Sequence, residues 1–134
     1  MKRAMSEFSG LAFLVVVIVA ATPGTSWAHH GSAEYDMTKT ISVKGIVTEF
    51  AFMNPHSAIH VDVKDDKGNV EHWVVEADSP NNLSRAGWKK DSILPGQQVT
   101  IYGNRVKDGA TAMRLQKVVF ADGRELKPRD ANDY

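Results

Sequence analysis

The stretch that decides the fold is Thr40–Phe52, "TISVKGIVTEFAF". It is rich in β-branched and aromatic residues, which favour β-strands. Apolar residues alternate in one phase before Gly45, whereas Ile46 and Phe50 follow the other phase. A glycine at a change of phase predicts a β-bulge that bends the strand. A strand bent in this way can pair with both halves of a small barrel.

Four further segments carry strand patterns: Ser57–Lys64, Val70–Ala77, Gln97–Gly103 and Ala110–Ala121. A short helix is predicted from Pro80 to Ala86, because Ser79 can cap its start and Gly87 suits its exit. The order is three strands, a helix and two strands. This order predicts an all-β domain with one short helix, a five-stranded OB-like barrel of β-β-β-α-β-β order. An open sandwich or a simple meander is the alternative.

The first 28 residues have the pattern of a cleavable signal peptide. Two basic residues precede the apolar run Leu11–Ala21, and the small residues of Ser26–Ala28 mark a cleavage site. The run is about half of the roughly 20 residues that a membrane span needs. We therefore expect cleavage after Ala28, a mature chain that begins at His29 without a membrane anchor, and export to the periplasm.

The chain is therefore divided into a signal peptide at 1–28, an N-terminal lead-in at 29–39, a barrel domain at 40–127 and a flexible tail at 128–134. Removal of residues 1–28 from the 134-residue chain would leave 106 residues, which suits one small domain. The remainder has 14 basic and 15 acidic residues. Such a balance argues against a nucleic-acid partner, which requires a basic surface.

Several short motifs are spread over the mature region. They are His29-His30, Asn54-Pro55-His56, Ser79-Pro80 with Leu83, Arg85 and Gly87-Trp88, and Pro95-Gly96 before Val99-Thr100. Together they resemble a family of small exported bacterial proteins of unknown function with an OB-like β-barrel. One position departs from that pattern, because Gly31 precedes Ser32 where such proteins usually have Ser directly after the His pair. The resemblance implies a barrel fold and export, and it implies no activity.

All five histidines lie in the mature region, and the chain has no cysteine. A transition-metal site would therefore use imidazole and oxygen donors, which suit copper(II), zinc or nickel. An N-terminal histidine can chelate one ion through its α-amino nitrogen and its ring Nδ1, and a distant ring then completes a set that favours copper. The candidate ligands are His29, His30, His56, His60 and His72. The competing interpretation is that the His pair is a polar, disordered chain end.

The strand patterns place two of these rings on one face. His60 alternates with Ile59 and Val61, so it faces outward if they face the core. On the next strand His72 shares that outer surface if Trp73 faces inward. By contrast, His56 follows a turn-forming Asn-Pro pair, where its ring could instead bond to the backbone.

Two functions follow from these patterns. The first is a periplasmic protein that binds copper(II) for storage, delivery or tolerance. The alternative is a metal-free OB-type module that binds a small ligand or a periplasmic protein partner. Catalysis has little support, because the sequence has no cysteine nucleophile and no phosphate-binding loop, and copper-dependent oxidation is the one enzymatic alternative.

Overall fold

The computed structural model describes residues 32–128. In that range it has a 3-10 helix at Ser32–Glu34, six β-strands and one α-helix. The elements are β1 (Ile41–Ala51), β2 (Ala58–Lys64), β3 (Val70–Glu76), α1 (Pro80–Arg85), β4 (Gln98–Arg105), β5 (Ala112–Phe120) and β6 (Glu125–Leu126). Among these described residues, no helix is both long and apolar enough to cross a membrane.

Five of the strands form a closed barrel. The strands β3, β2, β1, β4 and β5 are neighbours in that order through antiparallel pairs, and a short parallel pairing of β3 with β5 closes the ring. The two residues of β6 extend the sheet beside β5. The predicted fold class, with its β-β-β-α-β-β order and single short helix, is therefore confirmed.

The first strand joins the two halves of the barrel. Its residues Ile41–Ile46 pair with β4, and Ile46–Ala51 pair with β2. The bulge lies between Val47 and Glu49, not at Gly45 as predicted. Ile46 is exposed although it is apolar, and the next residue, Val47, is buried. The inward phase therefore continues through Gly45 and changes only at the bulge.

Gly45 instead permits a close approach between strands. A Cβ atom at this position would lie 2.3 Å from the carbonyl oxygen of Asp62 and 2.7 Å from a methyl group of Val61. Any side chain would therefore push β1 away from β2 at the point where β1 passes from β4 to β2. Glycine is needed here for space, because no side chain fits beside the partner backbone.

The short helix covers part of the core. Its N-cap is Ser79, whose side chain accepts a hydrogen bond from the backbone of Asn82. Pro80 occupies the first helical turn, as the sequence predicted, and Leu83 is fully buried. Trp88 follows the helix, packs in the same core and donates its indole N–H to the carbonyl of Lys127 at 2.8 Å.

The described part of the lead-in is docked on the barrel. The amide of Lys107 donates to the carbonyl of Glu34 at 2.9 Å, and Tyr35 forms a β-bridge with Val106. The buried amide side chain of Asn104 donates to the carbonyl of Lys39 at 2.8 Å. The chain is therefore held against β4 and the following turn before β1 begins. The predicted signal peptide, the cleavage site and His29 and His30 lie outside the described residues.

We expect Gly45→Ala to destabilise the fold by about 2 kcal/mol or more, because the added methyl group meets backbone that cannot rotate away. Ser42→Ala on the exposed face of the same strand is the matched control, with an expected change within about 0.5 kcal/mol. The measurement is the free energy of unfolding in urea. Equal stability of the two variants would show that the strands separate there at little cost.

Candidate functional site

The predicted pair of histidines lies on one outer face. In the β2–β3 register His60 is opposite Val74, and Asp62 is opposite His72. The residues that alternate with them are buried: Ile59, Val61, Trp73 and Val75. The prediction that His60 and His72 lie on neighbouring strands, on the same side of the sheet, is confirmed.

The third described histidine continues this face. The amide of Ser57 donates to the carbonyl of Asp78, and the amide of Ala77 donates to the carbonyl of Ser57. The hydrogen bonds between β2 and β3 therefore continue past the ends of the two strands. Ser57 is buried, which places His56 on the outer side. We call this surface the histidine stripe, and it comprises His56, Glu76, His60, Asp62 and His72.

One end of the histidine stripe is the pair of Asp62 and His72. The ring Nδ1 of His72 lies 2.5 Å from Oδ1 of Asp62, and the His72 side chain is 82% exposed. A carboxylate oxygen accepts hydrogen bonds, so Nδ1 is the donor of this pair, and in a neutral imidazole the acceptor nitrogen is then Nε2. Metal-binding histidines are commonly oriented by a carboxylate in this way.

The other end is a network around Glu76. Its Oε1 accepts hydrogen bonds from His56 Nδ1 at 2.7 Å and from Arg114 Nη1 at 3.1 Å, and its Oε2 accepts one from the Tyr35 hydroxyl at 3.0 Å. Arg114 also bonds Asp78 at 2.5 Å. We call these five residues the Glu76 cluster. The Glu76 side chain is only 16% exposed, so three donors compensate a carboxylate that is largely removed from water.

Sequence reasoning missed four members of the Glu76 cluster: Tyr35, Glu76, Asp78 and Arg114. Arg114 reaches Glu76 because the parallel β3–β5 pairing places them opposite each other, although they are 38 residues apart in the chain. No local pattern indicates such a pairing. The only available signal was the outward phase of Glu76 on a strand whose alternate residues are apolar. The ring of His56 bonds this carboxylate, in addition to following the predicted turn.

Tyr35 is the most perturbed titratable residue of the cluster. Burial raises the pKa of its phenol well above the ordinary value of 10.0, and the negative charge of Glu76 and the hydrogen bond to it raise it further. The positive charge of Arg114 opposes this effect only in part. Tyr35 therefore acts as a hydrogen-bond donor to Glu76 throughout the physiological pH range.

The described histidines are spread along the stripe. His56 and His60 are four residues apart on an extended chain, a separation of about 13 Å between their Cα atoms. Within residues 32–128, no group of three or more histidine, aspartate or glutamate side chains is gathered around a possible metal position. Any metal held by more than two side chains would need donors from elsewhere, and the candidates His29 and His30 lie outside the described residues.

The fold and the sequence together define a small barrel protein of the OB type. The chain belongs to a family of unknown function, DUF6152, whose sequence model matches residues 15–114. No curated protein matches the chain.

Solved structures similar to this chain include two with low sequence identity. One is the mitochondrial single-stranded DNA binding protein Rim1 from S. cerevisiae, with 10% identity and a TM-score of 0.46 over 68% of this chain and 96% of that one. The other is a ZRD-deleted mutant of TiaS in complex with agmatine, with 19% identity and a TM-score of 0.43 over 67% of this chain and 24% of that one.

Tyr35→Phe is expected to lower the free energy of unfolding by about 1 kcal/mol at neutral pH, because Glu76 loses one of its three donors. The unfolded chain releases the Tyr35 proton near pH 10.0, whereas the folded protein retains it. Folding is therefore progressively disfavoured as the pH rises above 10.0. Tyrosinate absorbance should show one delayed ionisation coupled to unfolding, and Tyr35→Phe should lack it. If the ionisation that the variant lacks has its midpoint near the ordinary value of 10.0 in the folded parent, this placement is contradicted.

Proposed function

We propose that the protein binds one copper(II) ion in the periplasm, through the N-terminal His29 of the mature chain and the ring of His56. Its role would be storage, delivery or tolerance of copper. The observation that carries the proposal is the contact between Tyr35 and Glu76. The hydroxyl of Tyr35 bonds the same carboxylate that bonds the ring of His56, so the lead-in meets the barrel beside that ring.

Chain length supports this pairing. His29 precedes Tyr35 by six residues, three of which form the 3-10 helix Ser32–Glu34. With about 2 Å per residue in that helix and about 3.3 Å for each of the other three, the reach is roughly 16 Å. The amine and the ring of His29 are thus tethered within reach of His56 without any change in the barrel. His30 is tethered in the same way. His60 and His72 lie progressively further along the histidine stripe and are the alternative distant ligands.

The donor chemistry favours copper. The His29 amine and ring form a chelate of two nitrogens, and a distant imidazole adds a third, with no thiolate available in this cysteine-free chain. Nitrogen donors of this kind place copper(II) first among the divalent metals. His56 would bind through Nε2, since Glu76 holds its Nδ1, and that carboxylate would strengthen the ring as a ligand.

Compartment and maturation belong to the same proposal. The basic start, the apolar run Leu11–Ala21 and the small residues of Ser26–Ala28 support export and cleavage after Ala28. Cleavage there would expose the α-amino group of His29. Any other cleavage site would leave that nitrogen in an amide, which is a far poorer metal donor.

The decisive experiment compares two forms of the chain that begins at His29. One has a free α-amino group and the other is acetylated at that nitrogen, and both are titrated with copper(II) in a calorimeter. The acetylated form should bind roughly 100-fold more weakly, equivalent to about 3 kcal/mol, because the chelating amine has become an amide. Equal affinities would eliminate the N-terminal site and favour the metal-free module that binds a small ligand or a protein partner.

The distant ligand is tested in the chain that begins at His29. His56→Ala should weaken copper binding on the order of tenfold or more, and His72→Ala, the matched control at the far end of the stripe, should leave it nearly unchanged. Binding should also weaken as the pH falls from about 8 to 5, because nitrogen donors must release protons to bind. If His72→Ala weakens copper binding more than His56→Ala does, the distant ligand is His72 instead.

A further inference from the structure

The outer end of the histidine stripe has features of a metal site of its own. The ring of His72 is held by Asp62, and its side chain is mostly exposed. This hydrogen bond leaves Nε2 of His72 as the coordinating atom and directs it away from Asp62. An imidazole prepared in this way binds a cation with little loss of rotational freedom, because its orientation is already fixed.

A second ring lies beside it. His60 is the diagonal neighbour of His72, since Val74 and Asp62 are their directly opposite partners. Diagonal neighbours on one face of an antiparallel pair are roughly 7–8 Å apart, within the reach of long side chains. Two imidazoles at this separation can therefore approach the same ion.

A carboxylate on β1 lies next to this pair of rings. Glu49 is directly opposite His60 in the β1–β2 register and is exposed. Because β2 lies between β1 and β3, Glu49 and His72 flank His60 from its two neighbouring strands. With Asp62, Glu49 gives this part of the stripe two acidic side chains that favour the approach of a cation.

We propose that His60 and His72 form a second metal site for Zn²⁺, separate from the copper site proposed above. The two rings supply two nitrogen ligands, and water completes the coordination. Tetrahedral zinc takes this mixture of imidazole and oxygen donors. Asp62 is a positioning residue, because it holds the His72 ring and does not itself bind the ion.

The test uses the chain that begins at His29 and is acetylated there, so that the His29 amine cannot contribute. Zn²⁺ is titrated while binding heat and the ring nuclear magnetic resonance signals of the histidines are recorded. One Zn²⁺ should bind and shift the ring signals of His60 and His72. His72→Ala should weaken binding at least about tenfold, and Asp62→Asn about 10- to 100-fold, as is typical when the group that orients a ligand is lost.

His56→Ala is the matched control, and it should leave the Zn²⁺ affinity within about twofold of the parent. Urea unfolding of each variant shows whether the barrel is intact. The proposal is overturned if neither ring signal shifts at millimolar Zn²⁺, or if His72→Ala and Asp62→Asn bind as the parent does. It is likewise overturned if His56→Ala abolishes binding, since the ion would then lie at the Glu76 cluster. All of these outcomes are independent of copper binding at His29.

Discussion

The pairing of β3 with β5 is the constraint on which the rest of the structure depends. It consists of only three residue pairs, ending at Glu76 and Arg114. Without it, β3 would be an open edge and the barrel would be a curved sheet. The side chain of Arg114 reinforces this closure by bonding both Glu76 and Asp78, whose carboxylates are largely buried. A cation placed between two partly desolvated carboxylates compensates both of them at the point where the barrel closes.

The same carboxylate also organises the candidate copper site. Glu76 closes the barrel through Arg114, orients His56 and receives the hydroxyl of Tyr35. Glu76 therefore belongs both to the contacts that close the barrel and to the candidate site. A substitution of Glu76 would disturb the closure of the barrel and the orientation of His56 at once. His56 bonds Glu76 at the margin of the cluster, whereas the two ion pairs of Arg114 that reinforce the closure of the barrel do not involve it.

Period-two patterns carried most of what the sequence could predict. The face of β2 followed from the alternation of Ile59 and Val61 with His60, because a strand that borders a core has one apolar side. The face of β3 did not follow from its sequence, because Val70 and Val74 fit one phase and Trp73 and Val75 the other. The bulge was misplaced because Ile46 is apolar yet exposed, which imitates a change of phase. The Glu76 cluster could not be predicted, because its members are brought together by barrel closure and are distant in sequence. The N-terminal candidates rest on a processing signal, which is a different kind of information from strand pattern.

Each end of the histidine stripe has a histidine ring held by a carboxylate, and the two carboxylates differ in how firmly they are fixed. In both, a carboxylate accepts a hydrogen bond from Nδ1 of the ring. Glu76 is fixed by three donors and is largely buried, whereas Asp62 is more exposed and lies beside a ring that is itself exposed. A ring held by a fixed carboxylate has less freedom to lose on binding a partner, whereas a ring at an exposed position exchanges its contacts with water more easily. The barrel therefore presents one firmly oriented imidazole at the closing pair and a more accessible one at the far end of β2 and β3.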